Sequence, residues 1–225
     1  MRYNRYMRKK IVIFDLDGTL LNTLKDLTIS TNYALKACNY PLRTVDEVRQ
    51  FVGNGVYKLI ERAVPSNSSS YAIDKCLTIF KKHYSENMYN NTAPYEGIID
   101  LLKSLKQKGY IVAVVSNKFD NAVKDLCEKY FAGLVDFAAG ENEKLGIKKK
   151  PAPDTVFQVL KKYDLSSKEA VYIGDSEVDI LTAKNSDMEC ISVTWGFKDK
   201  DFLIQNGATN IAENTGEIIA ILENY

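Results

Sequence analysis

The sequence predicts an α/β protein whose doubly wound parallel sheet is interrupted once by a helical subdomain. Three observations carry this. Short apolar runs at Ile11–Phe14, Tyr110–Val115, Ala170–Ile173 and Cys190–Val193 each end abruptly in polar residues, as buried strands do. Amphipathic stretches separate the later runs, which is the alternation of a parallel sheet. The stretch from Phe14 to Ile111 is far longer than one crossover needs and is helical in pattern throughout.

Taken in order, Ile11-Val-Ile-Phe14 is a strand that stops at Asp15-Leu-Asp17-Gly-Thr-Leu20. Leu24, Leu27, Thr31, Leu35 and Cys38 then step by three and four along a helix. Thr44-Val-Asp-Glu47 reads as a capping box opening a short helix with Val48 and Phe51 on one side. Gly53-Asn54-Gly55 breaks the chain before a third helix with Val56, Leu59, Ile60 and Ala63. After the loop at 65–70, Ile73, Cys76, Leu77, Phe80, Tyr84 and Met88 form a long apolar stripe. These helices predict a four-helix insert over 21–90, with linkers near 20–22 and 91–96. The remaining core, 1–20 and 91–225, resumes with a helix near Ile98–Gln107 closed by Gly109. A helix near Asn121–Tyr130 and a strand at Val135–Ala138 follow. Lys148-Lys-Lys150-Pro-Ala-Pro153 leads into another helix, with Pro153 suited to its first turn. The strand Ala170–Ile173 runs into Gly174-Asp175-Ser176 and a helix carrying Val178, Leu181 and Ala183. Helices near 199–206 and 215–223 close the chain.

The 225 residues carry 30 Lys+Arg against 29 Asp+Glu, so bulk charge predicts neither nucleic-acid nor membrane binding, and any anion site must be built locally. Cys38, Cys76, Cys127 and Cys190 are scattered through apolar patterns, which fits buried thiols in a reducing cytosol rather than disulfides or zinc. The single histidine, His83, rules out a histidine-rich metal site and argues against a histidine phosphatase; its helix places it on a flank. Arg2, Arg5, Arg8, Lys9 and Lys10 resemble a signal-peptide start only superficially, because the apolar run after them is too short. A cytoplasmic protein is therefore expected, monomer or homodimer, with residues 1–6 a frayed extension.

The carboxyl ends of parallel strands share one edge of the sheet, so Asp15, Asp17, Ser116, Asn117, Asp175 and Asp179 are expected to converge there. The set is rich in carboxylates and has no nitrogen or sulfur ligand, which suits Mg²⁺. The Ser116 hydroxyl, the Asn117 N–H and a lysine of the 148–150 run would hold anionic oxygens. Acids, a hard metal and anion donors together point to phosphoryl transfer.

These residues resemble the haloacid dehalogenase superfamily, and within it the phosphoglycolate phosphatase group. Asp15-Leu-Asp17-Gly-Thr-Leu matches the first family motif, Ser116 the second, Lys150 before Pro151 the third, and Gly174-Asp175-Ser176-x-x-Asp179 the fourth. Phe51-Val-Gly-Asn-Gly55, Pro94-Tyr-Glu-Gly97 and Val193-Thr-Trp-Gly196 also look like that group, and the helical insert looks like its type-I cap on a Rossmann-like core. The resemblance covers the chain from about Met7. One departure is Asn185-Ser-Asp187-Met188, where a small residue and a glycine are usual.

The resemblance implies that Asp15 is the nucleophile and Asp17 the acid and base. Ser116, Asn117 and Lys150 would bind phosphate; Asp15, the Asp17 carbonyl and Asp175 would hold Mg²⁺, with Asp179 supporting that shell. The cap would select the substrate, through Gly53, Asn54 and Gly55 or through Arg43, Arg49, Lys58 or Arg62. A phosphatase for a small metabolite, 2-phosphoglycolate foremost, is the expected activity. A pyrophosphatase or a β-phosphoglucomutase-like sugar-phosphate mutase would use the same core residues. A phospho-receiver domain also pairs acids with a Ser and a Lys, but the long insert and the second acid at Asp17 argue against it.

Overall fold

Every residue of the Ile11–Phe14 run is fully buried, and the run forms the central strand of the sheet. The computed structural model describes residues 9–142 and 146–225, so the extension expected at 1–6 lies outside the described residues. In chain order the first half comprises β1 (Ile11–Phe14), β2 (Leu21–Asn22), α1 (Leu24–Ala37), α2 (Val45–Phe51), α3 (Val56–Ala63), α4 (Ser70–Asn87) and β3 (Ala93–Pro94). Then come α5 (Ile98–Gln107), β4 (Ile111–Phe119), α6 (Asp120–Phe131), β5 (Phe137–Glu141) and α7 (Asp154–Tyr163). The chain ends with β6 (Ala170–Gly174), α8 (Glu177–Asn185), β7 (Glu189–Val193), α9 (Lys200–Gln205), β8 (Asn210–Ala212) and α10 (Thr215–Leu222).

The main sheet has the order β5-β4-β1-β6-β7-β8, and every pairing in it is parallel. Side chains alternate between its faces. Val12, Phe14, Val112, Val114, Val171 and Ile173 pack with α5, α6 and α10, whereas Ile11, Ile13, Ala113, Val115, Ala170 and Tyr172 pack with α7 and Ala183 of α8. Helices thus cover both faces, which explains why these strands are continuous apolar runs.

The chain leaves the sheet at Leu21 and returns at Ala93, where β2 and β3 pair antiparallel, Leu21 opposite Pro94. Between them stand α1–α4 with the stripes the spacing predicts: Leu24, Leu27, Thr31 and Leu35 are buried, as are Ile73, Cys76, Phe80, Tyr84 and Met88. The capping box at Thr44 is formed, Glu47 N–H donating to the Thr44 hydroxyl and the Glu47 carboxylate accepting from Thr44 N–H. The insert is continuous with the core: its buried side chains and one face of the sheet form a single apolar cluster.

The two connections are tied by one buried carboxylate. Asp26, in the first turn of α1 and 2 % exposed, accepts from Asn91 N–H (2.9 Å), Asn91 Nδ2 (2.7 Å), Thr92 N–H (2.8 Å) and Thr92 Oγ1 (2.9 Å). The Tyr130 hydroxyl of α6 donates to the Thr92 carbonyl at 2.7 Å, which anchors the return connection to the core.

The elements differ from expectation in four places. β4 runs on past Val115 to Phe119, with a register irregularity against β5 that places Ser116–Lys118 in a distorted strand. β5 begins at Phe137 rather than Val135, because Asp136 accepts from Val112 N–H at 2.8 Å and fixes where pairing starts. β8 is too short to show alternation in the sequence. β2 and β3 are strands only because they meet each other. His83 sits on a helix flank as expected, its Nδ1 3.0 Å from Ser30 Oγ and its ring stacked on Tyr33. All four cysteines are free thiols, Cys76 and Cys127 buried and Cys38 and Cys190 partly so. Among the described residues no helix is long and apolar enough to cross a membrane.

Candidate active site

Asp15 lies just beyond the end of β1, its N–H donating to the Ile173 carbonyl of β6 at 2.9 Å, and it is 8 % exposed. Asp175 follows β6, and Asp179 sits in the first turn of α8. Topology therefore brings these three acids to the same edge, where single carboxylate oxygens of each lie within 4.8 Å of one another, all buried. Lys150 enters from the loop before α7, with Nζ 2.9 Å from Asp15 Oδ1, 2.7 Å from Asp179 Oδ1 and 3.0 Å from the Tyr172 hydroxyl.

The acids are crowded and dry. Burial pushes Asp15 up to about 6; Lys150 opposes the rise, and the charges of Asp179 and Asp17 add to it. Burial, with Asp179 and Asp15 beside it, lifts Asp175 well above the usual carboxylate range. Burial disfavours a charged Lys150, but Asp15 and Asp179 overrule it and hold the ammonium well above the ordinary lysine range. Lys150 alone does not offset the burial and crowding of the three acids, which is why Asp15 and Asp175 stay raised.

Asp175 is held from two sides, accepting from Phe197 N–H at 2.7 Å and from Thr19 Oγ1 at 3.1 Å. Gly18, at φ +90°, lies so close to Asp175 that a side chain there would collide with its carboxylate. Asp179 Oδ2 accepts from Ser176 N–H and Oγ, capping α8, while its other oxygen takes Lys150. These three acids fit a divalent cation: they offer hard oxygen donors, are buried, and outnumber Lys150, which reaches Asp15 Oδ1 and Asp179 Oδ1.

The Asp17 carboxylate points elsewhere, both of its oxygens lying against Lys118 Nζ at 2.9 and 3.0 Å. Ser116 and Asn117 border the same cleft. Asn117 Nδ2 donates to the Lys150 carbonyl (3.0 Å) and to the Gly53 carbonyl of the insert (3.2 Å), which fixes the loop holding the lysine. The cleft, about 420 Å³ counting its open mouth, has Asp15, Asp17, Ser116, Asn117 and Lys118 as its polar floor and Leu27, Val52, Val56 and Leu59 as its apolar wall.

Gly53 and Gly55 line the cleft at φ +122° and +86°; a side chain on Gly55 would press on the Asn117 carbonyl. Asn54 turns away, its Oδ1 accepting from Arg62. Arg62 also donates to the Phe51 carbonyl, Arg43 to the Ala63 carbonyl and Glu47, and Lys58 pairs with Glu61. Arg49 lies 3.9 Å from Asp46. None of these four cations is among the cleft-lining residues; Lys118 is. Sequence reasoning gave no role to Lys118, Tyr172 or Thr19. The only local signal was the lysine directly after Ser116-Asn117 at a strand end.

The unusual Asn185-Ser-Asp187 segment ends α8 at Asn185, with Asp187 at φ +54°. Asn185 Nδ2 donates to the Pro151 carbonyl at 2.8 Å, so this helix end steadies the lysine loop.

Residues 12–193 match the haloacid dehalogenase-like hydrolase family. A phosphoglycolate phosphatase of Mesorhizobium japonicum is 34 % identical over 200 residues, 86 % of each chain, and one of Aquifex aeolicus is 31 % identical over 189 residues, 84 % of this chain and 86 % of that one. A solved structure from Lactobacillus delbrueckii subsp. bulgaricus, provisionally named for the same enzyme, superposes with a TM-score of 0.91 at 37 % identity, covering 96 % of this chain and 98 % of that one. With the acids, the lysine and the cleft in place, the chain belongs to the haloacid dehalogenase-like hydrolases and is a phosphoric monoester hydrolase of the phosphoglycolate phosphatase type.

Proposed function

We propose that this protein hydrolyses the phosphomonoester of a small metabolite, 2-phosphoglycolate foremost, with Mg²⁺ and through an aspartyl phosphate on Asp15. The observation that carries the reading is the convergence of Asp15, Asp175, Asp179 and Lys150 beneath one small cleft. The names of the relatives at 34 % and 31 % identity support the choice of substrate.

Asp15 attacks phosphorus and the ester P–O bond breaks, leaving an acyl phosphate. Asp17 gives the departing alkoxide a proton, then takes one from the water that attacks the same phosphorus. The Asp15–phosphorus bond then breaks and inorganic phosphate leaves. One carboxyl serves both half-reactions because the first leaves it deprotonated. The Ser116 hydroxyl, the Asn117 N–H and Lys150 stabilise the equatorial oxygens of the phosphoryl group. Asp15, Asp175 and the Asp17 carbonyl would hold Mg²⁺, with Asp179 in support, and the bound ion would supply charge neutralisation that one lysine cannot. The apolar wall from α1 and α3 and the Val52–Gly55 loop leave limited room beside the polar floor, which suits a small leaving group.

A phosphate-release screen over metabolite phosphates, pyrophosphate and sugar phosphates tests the reading. Fastest turnover on a small phosphorylated hydroxy acid is expected. Preference for pyrophosphate, or isomerisation of a sugar phosphate without net release, would replace it.

A further inference from the structure

Among the described residues Lys118 is the one cation that lines the cleft, and the mechanism above gives it nothing to do. Its Nζ lies 2.9 and 3.0 Å from the two oxygens of Asp17, and the side chain is 1 % exposed. Its other neighbour belongs to the insert: the ring of Tyr84, on α4, has its centroid 4.5 Å from Nζ. Tyr84 is fully buried, stacks on Phe80 of the same helix and meets Phe119, the next residue of β4, edge-on. The ammonium is therefore clamped between a core carboxylate and an aromatic face of the insert.

Such a pair is poor value as a stabiliser. Desolvating a lysine and an aspartate costs several kcal/mol, and an apolar pair of similar volume is often at least as stable. What a bidentate contact from a strand does supply is a fixed carboxylate.

We infer that Lys118 is a positioning residue that sets the placement of the Asp17 carboxylate and, through Tyr84, makes that placement depend on the docked insert. The inference rests on the reading of Asp17 as proton donor and acceptor. It places the control of proton transfer on the contact between α4 and β4, away from the phosphate-binding groups. Cation–π contact with a desolvated ammonium is strong enough to bias it.

The test compares first-turnover rates of the Mg²⁺-loaded protein on two esters. 2-Phosphoglycolate has an alkoxide leaving group that needs a proton; p-nitrophenyl phosphate does not. Lys118→Met is expected to slow glycolate release about 10²-fold, the size of a lost acid contribution, and to slow nitrophenolate release only slightly. Asp17→Asn is expected to show the same split. The Asp17→Asn/Lys118→Met double variant, which leaves no unpaired buried charge, is expected to be no slower than Asp17→Asn alone, because a residue acting through Asp17 adds nothing once Asp17 is gone. Tyr84→Leu is expected to shift the ratio of the two rates the same way by a smaller factor, and an unchanged ratio would remove the insert from the inference. Equal losses on both esters, or additive losses in the double variant, would reduce Lys118 to a structural role and overturn it. So would a raised KM for 2-phosphoglycolate at unchanged kcat, which marks a substrate contact. If Asp17→Asn itself shows no split, the acid-and-base reading fails first, and independently.

Discussion

Among its described residues this chain buries carboxylates in two places, and it treats them in opposite ways. Asp26 is 2 % exposed and meets four neutral donors from Asn91 and Thr92, with no cation needed. Asp15, Asp175 and Asp179 are also buried but crowd one another, and among the described residues Lys150 is the cation that pairs with two of them. Hydrogen bonds to a carboxylate favour its charged form, whereas burial and like charges disfavour it. The first site is settled and can only hold the chain together. The second is unsettled, and its imbalance is what a divalent cation would relieve. Buried acids are thus structural when their donors suffice and chemical when they do not.

The comparison breaks most sharply at Asp15. Asp15→Asn, with the same shape and no charge, is expected to cost at least about 10³-fold in phosphate release, because nothing nearby replaces the nucleophile. Its circular dichroism spectrum and melting temperature should stay close to the parent's. Retained turnover on an aryl phosphate would sink the covalent reading.

Asp26→Ala should do the reverse. It strands four donors away from water, and an unmet buried donor costs about 1–3 kcal/mol. A net loss of about 3 kcal/mol is expected after partial relaxation, lowering the melting temperature by roughly 6–10 °C. First-turnover release from p-nitrophenyl phosphate at low temperature should fall far less than with Asp15→Asn. A collapse of chemistry equal to that of Asp15→Asn would show that the latch and the acid site are one unit.

Asp175→Asn sharpens the contrast by moving stability and activity apart. The amide can accept from Phe197 N–H and donate to Thr19 Oγ1, so both present contacts survive in kind. It removes a carboxyl that burial and two acidic neighbours hold well above the usual carboxylate range. In chelator the variant is expected to be more stable than the parent, by about 1–2 kcal/mol, as when buried ionic groups are neutralised. With Mg²⁺ the order should invert: the parent gains about 2.7 kcal/mol at a hundredfold excess over the dissociation constant, and the variant little. Thermal melts with and without Mg²⁺ read both halves. A variant less stable than the parent in chelator would mean that Asp175 is held as Asp26 is.

The same contrast explains what could be read before folding. The acid site is written locally: Asp15 and Asp175 each follow a strand end, Asp179 lies in the first turn of the helix after the second, and parallel topology gathers strand ends without further instruction. The latch is not legible, because Asp26 and Thr92 are 66 positions apart and neither lies in a motif. Lys118 fails for the same reason, its partner Asp17 being 101 positions away. The Tyr172 hydroxyl that receives Lys150 reads in sequence as one more apolar strand residue. β8 and the β2–β3 pair escape because a run of two or three residues has no period. β5 shifts because the side chain of Asp136, rather than an apolar pattern, decides where pairing begins.

The smallest effect belongs to a carboxylate that resembles Asp26 in its bonding but not in its burial. Glu169 pairs with Lys10 at 2.6 Å and accepts from Ser166 N–H and Oγ, and these contacts lower it to about 2, the Lys10 contact first. A carboxylate lowered on folding stabilises the protein at pH values above its unfolded value, and the gain is lost as pH falls through the folded value. For Glu169 that window runs from about 4.5 down to about 2. Lys10 is 60 % exposed, so water and salt screen the pair. Glu169→Gln is therefore expected to lower the melting temperature slightly at pH 7, less so at pH 3, and less again in high salt. If its cost matched that of Asp26→Ala at pH 7, the number of bonds to a carboxylate would outweigh its burial, and the distinction between settled and unsettled acids would have to be redrawn on bonding alone.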